Sequence, residues 1–209
     1  MPDDAFPPGF FDRADASDDA VFYVPNRFVT HIDDTAIAAV GLLYEELGLD
    51  GDVLDLMSSW VSHFSHTPRN LVVLGMNAEE LAANPQAASW CTRDLNVHPT
   101  LPFDDASFDA VTCCVSVDYL TRPLKVFREV VRVLRPGAPF VITFSNRWFP
   151  TKAIRAWLTT DDHGHLAIVR SYFAHTPGFD PPEHALRTPV GSRTDPLYAM
   201  WARRSVVFG

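Results

Sequence analysis

An α/β domain built on a mostly parallel sheet is the fold class that this sequence predicts, and three features carry the prediction. Residues 52–56, 69–75, 110–115 and 140–144 are short, nearly continuous apolar runs rich in Val, Ile and Leu, the pattern of strands buried on both faces. Stretches with apolar residues at helical spacing separate them, and such alternation produces right-handed crossovers between parallel strands. The first run reaches Asp55 and enters the small-residue turn Ser58-Ser59, the kind of strand end outside which open α/β sheets hold their ligands.

The first twenty residues carry Asp3, Asp4, Asp12, Asp15, Asp18 and Asp19 beside Pro7, Pro8 and Gly9, with Arg13 as the single base. They read as a mobile acidic arm (1–20) ahead of one domain (21–209). Phe6, Phe10 and Phe11 give the arm a means of docking on the body or on a second subunit, so a homodimer is the protein partnership to expect. Asp33 or Asp34 caps a helix whose apolar residues Ile37, Val40, Leu43, Tyr44 and Leu47 recur at helical spacing, and Gly48 ends it. After the first strand, 69–75 is a second strand and 78–83 a short helix closed before Pro85. Residues 90–95 make a short third strand ending near Asp94, and the polar turn 101–109 leads into a fourth strand at 110–115. Pro123 suits the first turn of the next helix, where its missing N–H costs nothing, and Leu124, Phe127, Val130, Val131 and Leu134 form its buried stripe. A fifth strand at 140–144 follows Arg135-Pro136-Gly137. Helices are expected at 151–158 and 166–173, and a closing hairpin from strands at 185–190 and 197–203.

Composition narrows the function. At 209 residues, 47% of them hydrophobic, the chain is long enough to bury one substantial core. A net charge of -9 with 17 scattered Lys and Arg disfavours a nucleic-acid partner, whose phosphates require clustered bases. No stretch approaches the roughly 20 apolar residues of a membrane span, and the amino terminus is acidic where a signal peptide is basic, so a cytoplasmic protein without a membrane partner is expected. Cys113 and Cys114 point to opposite faces of one strand, which leaves no disulfide framework with Cys91.

Leu101-Pro-Phe-Asp-Asp-Ala-Ser-Phe-Asp-Ala-Val111 is followed, about one strand and turn later, by Phe127-Arg-Glu-Val-Val-Arg-Val-Leu-Arg-Pro-Gly137. In that order and spacing the pair resembles the class I S-adenosylmethionine-dependent methyltransferases, in particular the methyltransferase-11-like branch. Met200-Trp-Ala-Arg-Arg204 is similar to the last strand of that family. The resemblance covers about 53–204. It implies a Rossmann-like sheet of seven strands with helices on both faces, an antiparallel last strand, and S-adenosylmethionine as cofactor.

The resemblance also implies a set of contacts. Asp55 holds the position of the acid that meets the methionyl amino group. Met57, Ser59 and Val61 stand where the family has glycines, which let the backbone approach the ligand and take positive φ. Ser58 and Ser59 hydroxyls are the expected substitutes for those backbone contacts, or caps for a following helix. The acid that holds the ribose falls on Gly75, with Asn77 the nearest polar replacement. Asp94 fits the position that meets the adenine amino group, Leu95 flanks the ring, and Cys114, Val115 and Ser116 form the inner wall.

Methyl transfer needs alignment of a nucleophile and, for some acceptors, removal of a proton. His31, ahead of the first long helix, and Tyr119, after the fourth strand, are the candidate bases. Arg27 is a candidate for the methionyl carboxylate or an acidic substrate. The segment from Tyr23 to Asp33 is expected to fold over the ligand as a lid. Trp60, Trp148, Phe149 and Trp157 are candidates for an apolar substrate pocket. His63-Phe-Ser-His66 and Asp161-Asp-His-Gly-His165 lack the spacing of a zinc site, so no metal is expected. Two functions follow: methylation of a small-molecule substrate, or a non-catalytic binding or scaffold protein on a degenerate methyltransferase fold.

Overall fold

The computed structural model describes residues 5–189, 191 and 193–206. Seven strands among the described residues form one sheet: β1 (Asp52–Leu56), β2 (Asn70–Gly75), β3 (Ser89–Thr92), β4 (Ala110–Cys114), β5 (Pro139–Phe144), β6 (Glu183–Leu186) and β7 (Tyr198–Arg203). Their spatial order is β3-β2-β1-β4-β5-β7-β6. Strands β1 to β5 pair in parallel, and β7 runs antiparallel to both β5 and β6. The expected mostly parallel sheet with an antiparallel last strand is therefore present. Strand order reverses between β1 and β4, which opens a crevice at their carboxyl ends.

Helices α1 (Asp19–Phe22), α2 (Asp34–Glu46), α3 (Ala78–Ala82), α4 (Pro123–Val133), α5 (Arg155–Leu158) and α6 (Asp162–Ala174) accompany the sheet. Period-two alternation divides the core: Leu54, Leu56, Val111 and Ile142 pack with α4 and α6, while Val53, Leu71, Val73 and Val141 pack with α2. Leu124, Phe127 and Val130 of α4 are essentially inaccessible. At roughly 1.5–3 kcal/mol for each such side chain, that stripe outweighs a helix cap. Asp33 caps α2 by accepting from Ala36 N at 2.9 Å, worth about 1 kcal/mol.

The two motifs that carry the family resemblance are stapled to each other. Arg132 donates to the Leu101 and Phe103 carbonyls at 2.9 and 2.7 Å and pairs with Asp105 and Glu129, while Glu129 accepts from Leu101 N at 2.9 Å. Arg135 bridges Asp109 and Asp52 at 2.5 and 3.2 Å, which ties the β4 entry to β1.

Several elements differ from the sequence reading. The stretch expected as a mobile arm is packed from residue 5 onward: Phe6, Phe10 and Phe11 lie against the core, and Arg155 N and Ala156 N donate to Asp12 and Phe10 carbonyls. Arg13 pairs with Asp19 at 2.7 Å, and the buried Lys152 pairs with Asp15 and Asp19 at 2.9 and 3.1 Å. Asp15 and Asp19 are thus partners of Lys152 and Arg13, whereas Asp12 and Asp18 are exposed and Asp18 caps α1; Asp3 and Asp4 lie outside the described residues. β3 stops at Thr92 because Asp94 Oδ1 accepts from Asn96 N and Val97 N and turns the chain. Of the expected helix at 151–158 only α5 forms, since Ile154 N donates to the Asp118 carbonyl instead. α6 begins earlier than 166 because Asp161 caps it through Gly164 N, making His163-Gly164-His165 its first turn. β6 spans Glu183–Leu186 rather than 185–190, of which Val190 lies outside the described residues. Residues 57–69, between β1 and β2, form no helix at all.

Candidate functional site

Alternation along β1 turns Asp55 toward the α2 face, beside Thr112 in the register of β4. Its carboxylate is 3% exposed and accepts from Ser58 Oγ and Thr112 Oγ1, both at 2.7 Å. Burial pushes its pKa up, opposed by those hydroxyl donors. Ser58 therefore bonds to the acid and does not cap a helix. Met57, at the position of the family's first glycine, has φ 55, so the chain makes the left-handed turn with a side chain present. Ser58 N then donates to Leu74 O at 2.9 Å, carrying the loop across the end of β2. A Cβ on Gly75 would lie 2.2 Å from the Ser58 carbonyl oxygen. The acid absent from that position thus has no room there.

Asn77, expected as its replacement, has its polar atoms otherwise engaged. Its Oδ1 caps α3 through Glu79 N and Glu80 N, and its Nδ2 donates to Tyr23 O and Asn26 Oδ1 at 3.0 and 2.8 Å. It is a cap and a clasp for the amino-terminal segment. Glu80, one turn on, is buried and takes Arg27 N at 2.6 Å and Ser59 Oγ at 2.5 Å. Just past the end of β3, Asp94 uses Oδ1 for its turn while Oδ2 makes no hydrogen bond among the described residues, and Leu95 is buried beside it.

The wall on the β4 side is held by Ser116, whose hydroxyl donates to Cys114 O at 2.8 Å and lies 3.3 Å from Met57 O. Val115 adopts φ 44, a conformation that a β-branched residue resists. Three of the four non-glycine residues with positive φ among the described residues, Met57, His63 and Val115, line one cavity. Strain of about 1–3 kcal/mol per residue collected at one place is characteristic of functional sites.

That cavity has a volume of about 560 Å³ and runs along the carboxyl ends of β1, β2, β3 and β4. Its floor is Asp55–Ser59, Gly75–Asn77 and Arg93–Asn96; its inner wall is Cys114–Ser116 with Tyr119; its cover is Tyr23, Arg27 and Val29–His31 from the amino-terminal strap, together with Trp60, His63 and the loop 146–150. Trp60 Nε1 donates to Val29 O at 3.2 Å, which fastens the strap to the β1 loop. The residues expected to contact the cofactor or act as bases line this cavity: His31, Tyr119, Arg27, Asp55, Met57, Ser58, Ser59, Asn77, Asp94, Leu95, Cys114, Val115 and Ser116; of the expected aromatic pocket, Trp60, Trp148 and Phe149 do so and Trp157 does not.

Their roles separate on closer geometry. Tyr119 is buried, its phenol is held far above the ordinary value by burial, and its oxygen accepts from Phe149 N at 2.8 Å. It holds the 146–150 loop through that bond, and its raised pKa keeps it protonated. Arg27 donates to Phe22 O and Pro25 O within its own strap and lies 4.5 Å over the Phe22 ring, so the guanidinium locks the strap and does not present a fork for a carboxylate. His31 packs edge-on to Phe149, and burial lowers its pKa. The sequence does not single out His63 as a site residue and presents it only as half of a His63–His66 pair that lacks the spacing of a metal site. Desolvation, then the neighbouring His31, pushes it down to about 4. Neither ring makes a hydrogen bond among the described residues. His66 pairs with Glu45 outside the site, and His165 stacks on Trp157, which is buried away from the cavity.

Residues 52–142 match the methyltransferase domain family model. Over 73 residues the chain is 34% identical to the ubiquinone/menaquinone biosynthesis C-methyltransferase UbiE of Roseobacter denitrificans, a match covering 35% of this chain and 28% of that one. The chain thus spans little more than a quarter of the length of that relative. Among solved structures, the [4+2]-cyclase SpnF superposes with a TM-score of 0.57 at 16% identity over 88% of this chain and 90% of that one. An S-adenosylmethionine-dependent methyltransferase from Mesorhizobium loti superposes at 0.52 and 19% identity over 80% and 98%. The matched segment supports a class I S-adenosylmethionine-dependent methyltransferase, and the superpositions show that the chain shares the fold of such enzymes.

The residues present fit the cofactor of that family. S-adenosylmethionine offers hydrogen-bond donors at both ends, an ammonium and an adenine amino group, and the cavity floor offers carboxylates at both ends, Asp55 and Asp94. The left-handed Met57 supplies the turn for which the family uses glycine.

Proposed function

We propose that this chain binds S-adenosylmethionine along the ends of β1 to β3 and transfers its methyl group to a small-molecule acceptor seated under the strap. The observation that carries the reading is one continuous cavity lined both by Asp55 at the end of β1 and by Asp94 just past the end of β3. Bound S-adenosylmethionine supplies an electrophilic methyl carbon. Asp55 accepts from the methionyl ammonium while Ser58 and Thr112 hold its carboxylate in place. Asp94 Oδ2 accepts from the adenine amino group, and Leu95 lies against the ring. The strap and Trp60 exclude water from the methyl carbon. His31 and His63, both held neutral at physiological pH, face the acceptor side and take a proton from an acceptor that must lose one. Three free cysteines suit a reducing compartment, and the cytoplasm is the proposed setting.

A non-catalytic binding protein is the second reading, favoured by the missing helix after β1 and the Ser58 carbonyl over Gly75. Isothermal titration with S-adenosylmethionine and S-adenosylhomocysteine separates the two. Saturable binding of both, with S-adenosylhomocysteine released on addition of a protic small-molecule acceptor, is the expected result. Absence of heat with either compound would select the second reading.

A further inference from the structure

The ribose of the proposed cofactor has no acid at the end of β2, because Gly75 lies under the Ser58 carbonyl. We propose that Glu80, on the first turn of α3, is the residue that holds the ribose hydroxyls in this chain. This rests on the cofactor reading above and names a contact within it.

Four observations converge on Glu80. It lines the cavity at the β2–α3 junction, between the β1 loop that faces the methionyl end and the β3 turn that faces the adenine end. The residue is 7% exposed, yet none of the described Lys, Arg or His residues forms an ion pair with it. A buried carboxylate without a cation is costly unless donors surround it. The two donors it has, Arg27 N on Oε1 and Ser59 Oγ on Oε2, leave each oxygen a further lone pair. Finally, Asn77 and Glu80 stand at cap and third helical position, where a glutamate ordinarily reaches back to the cap N–H. Here the side chain instead bonds to the strap and the β1 loop, which fixes its direction before any ligand arrives. A pair of vicinal hydroxyls supplies two donors to such a carboxylate, and an acid after the second strand accepts from the ribose in the same way in other nucleotide-binding α/β folds.

The test pairs removal of the acid with removal of the hydroxyls. Isothermal titration compares S-adenosylhomocysteine with its 2′,3′-dideoxy analogue on the wild-type chain and on Glu80→Gln. The wild type should prefer the hydroxyl-bearing compound by about tenfold or more, since hydrogen bonds to a charged group are at stake. Glu80→Gln should reduce that preference to about twofold or less while binding the dideoxy analogue as the wild type does. If Glu80→Gln lacks a cooperative thermal transition, Glu80→Asp, which keeps the charge and withdraws it by one methylene, is read in the same way. A merely structural Glu80 would weaken both compounds equally and leave the preference intact, which overturns the proposal. A wild type that binds both compounds alike overturns the ribose contact and leaves the cofactor reading standing. A wild type that binds neither overturns both.

Discussion

On the β4–β5 side of the sheet this chain keeps the side chains of the motifs that resemble the methyltransferases; on the β1–β2 side it makes the left-handed turn with different ones. The first side is held by contacts that depend on residue identity. Arg132 bonds to two carbonyls and two acids, and Arg135 joins Asp109 to Asp52, so these side chains tie down the turn that starts β4. The second side depends on conformation. Met57 takes the left-handed turn without being glycine, and the loop it starts passes so close to β2 that glycine is needed at 75 instead. The requirement for a residue without a side chain has moved from one strand end to the next.

The largest test of this contrast is Arg132→Ala. It removes the bonds to the Leu101 and Phe103 carbonyls and leaves the part-buried Glu129 without its cation. Urea unfolding should show a loss of about 2–4 kcal/mol. A loss below about 0.5 kcal/mol, the range of ordinary surface substitutions, would mean that packing alone holds this half.

Next in size is Gly75→Asp, which restores the family's side chain on the other half. The new Cβ meets a backbone oxygen, which cannot swing aside as a flexible side chain can. The variant should lose about 1–3 kcal/mol of stability and gain no affinity for S-adenosylhomocysteine by titration. Improved affinity would show that the loop yields easily and that the contrast is one of sequence only.

Most of the scaffold was legible because buried parallel strands leave continuous apolar runs, and α2 and α4 leave helical stripes ending at Asp33 and Pro123. Lengths were read less well where a side chain, and not an apolar pattern, sets the boundary: Asp94 stops β3, and Asp161 starts α6 through residues that look like a loop. The docking of residues 5–19 was hidden because a run of acids reads as solvated until Lys152 and Arg13 are brought beside it. Within the site, positions were legible and roles were not. Asn77 and Tyr119 line the cavity as expected, yet their polar atoms serve the strap and the 146–150 loop. Glu80 carries no signal beyond a capping pattern, and only its tertiary partners turn it toward the cavity.

A smaller effect comes from His63, on the rebuilt loop. Its folded pKa is about 4, against about 6.5 for an unperturbed histidine. Between these values the unfolded chain binds the extra proton, so the stabilisation is full above the upper value and is lost as pH falls toward the lower. His63→Asn retains tolerance of the left-handed backbone and removes this titration. Its melting temperature should fall less than that of the wild type between those two pH values. Parallel curves would mean that His63 is as well solvated in the fold as in the unfolded chain.

The smallest expected effect is the most direct test of backbone against side chain. Met57→Gly restores the family's glycine where the loop already has the glycine conformation. It relieves a left-handed cost of about 1–2 kcal/mol. Against this stand the packing of the Met57 side chain on the core cluster and the larger freedom of glycine in the unfolded chain, the latter about 0.5–1 kcal/mol. The net change in stability by urea unfolding should therefore lie within about 1 kcal/mol. Affinity for S-adenosylhomocysteine should be unchanged or slightly better, because the atoms that face the ligand at this point are the main chain. A tenfold loss of affinity in a folded variant, about 1.4 kcal/mol, would mean that the methionine side chain itself has become part of the binding surface. The two halves of the edge would then both depend on residue identity.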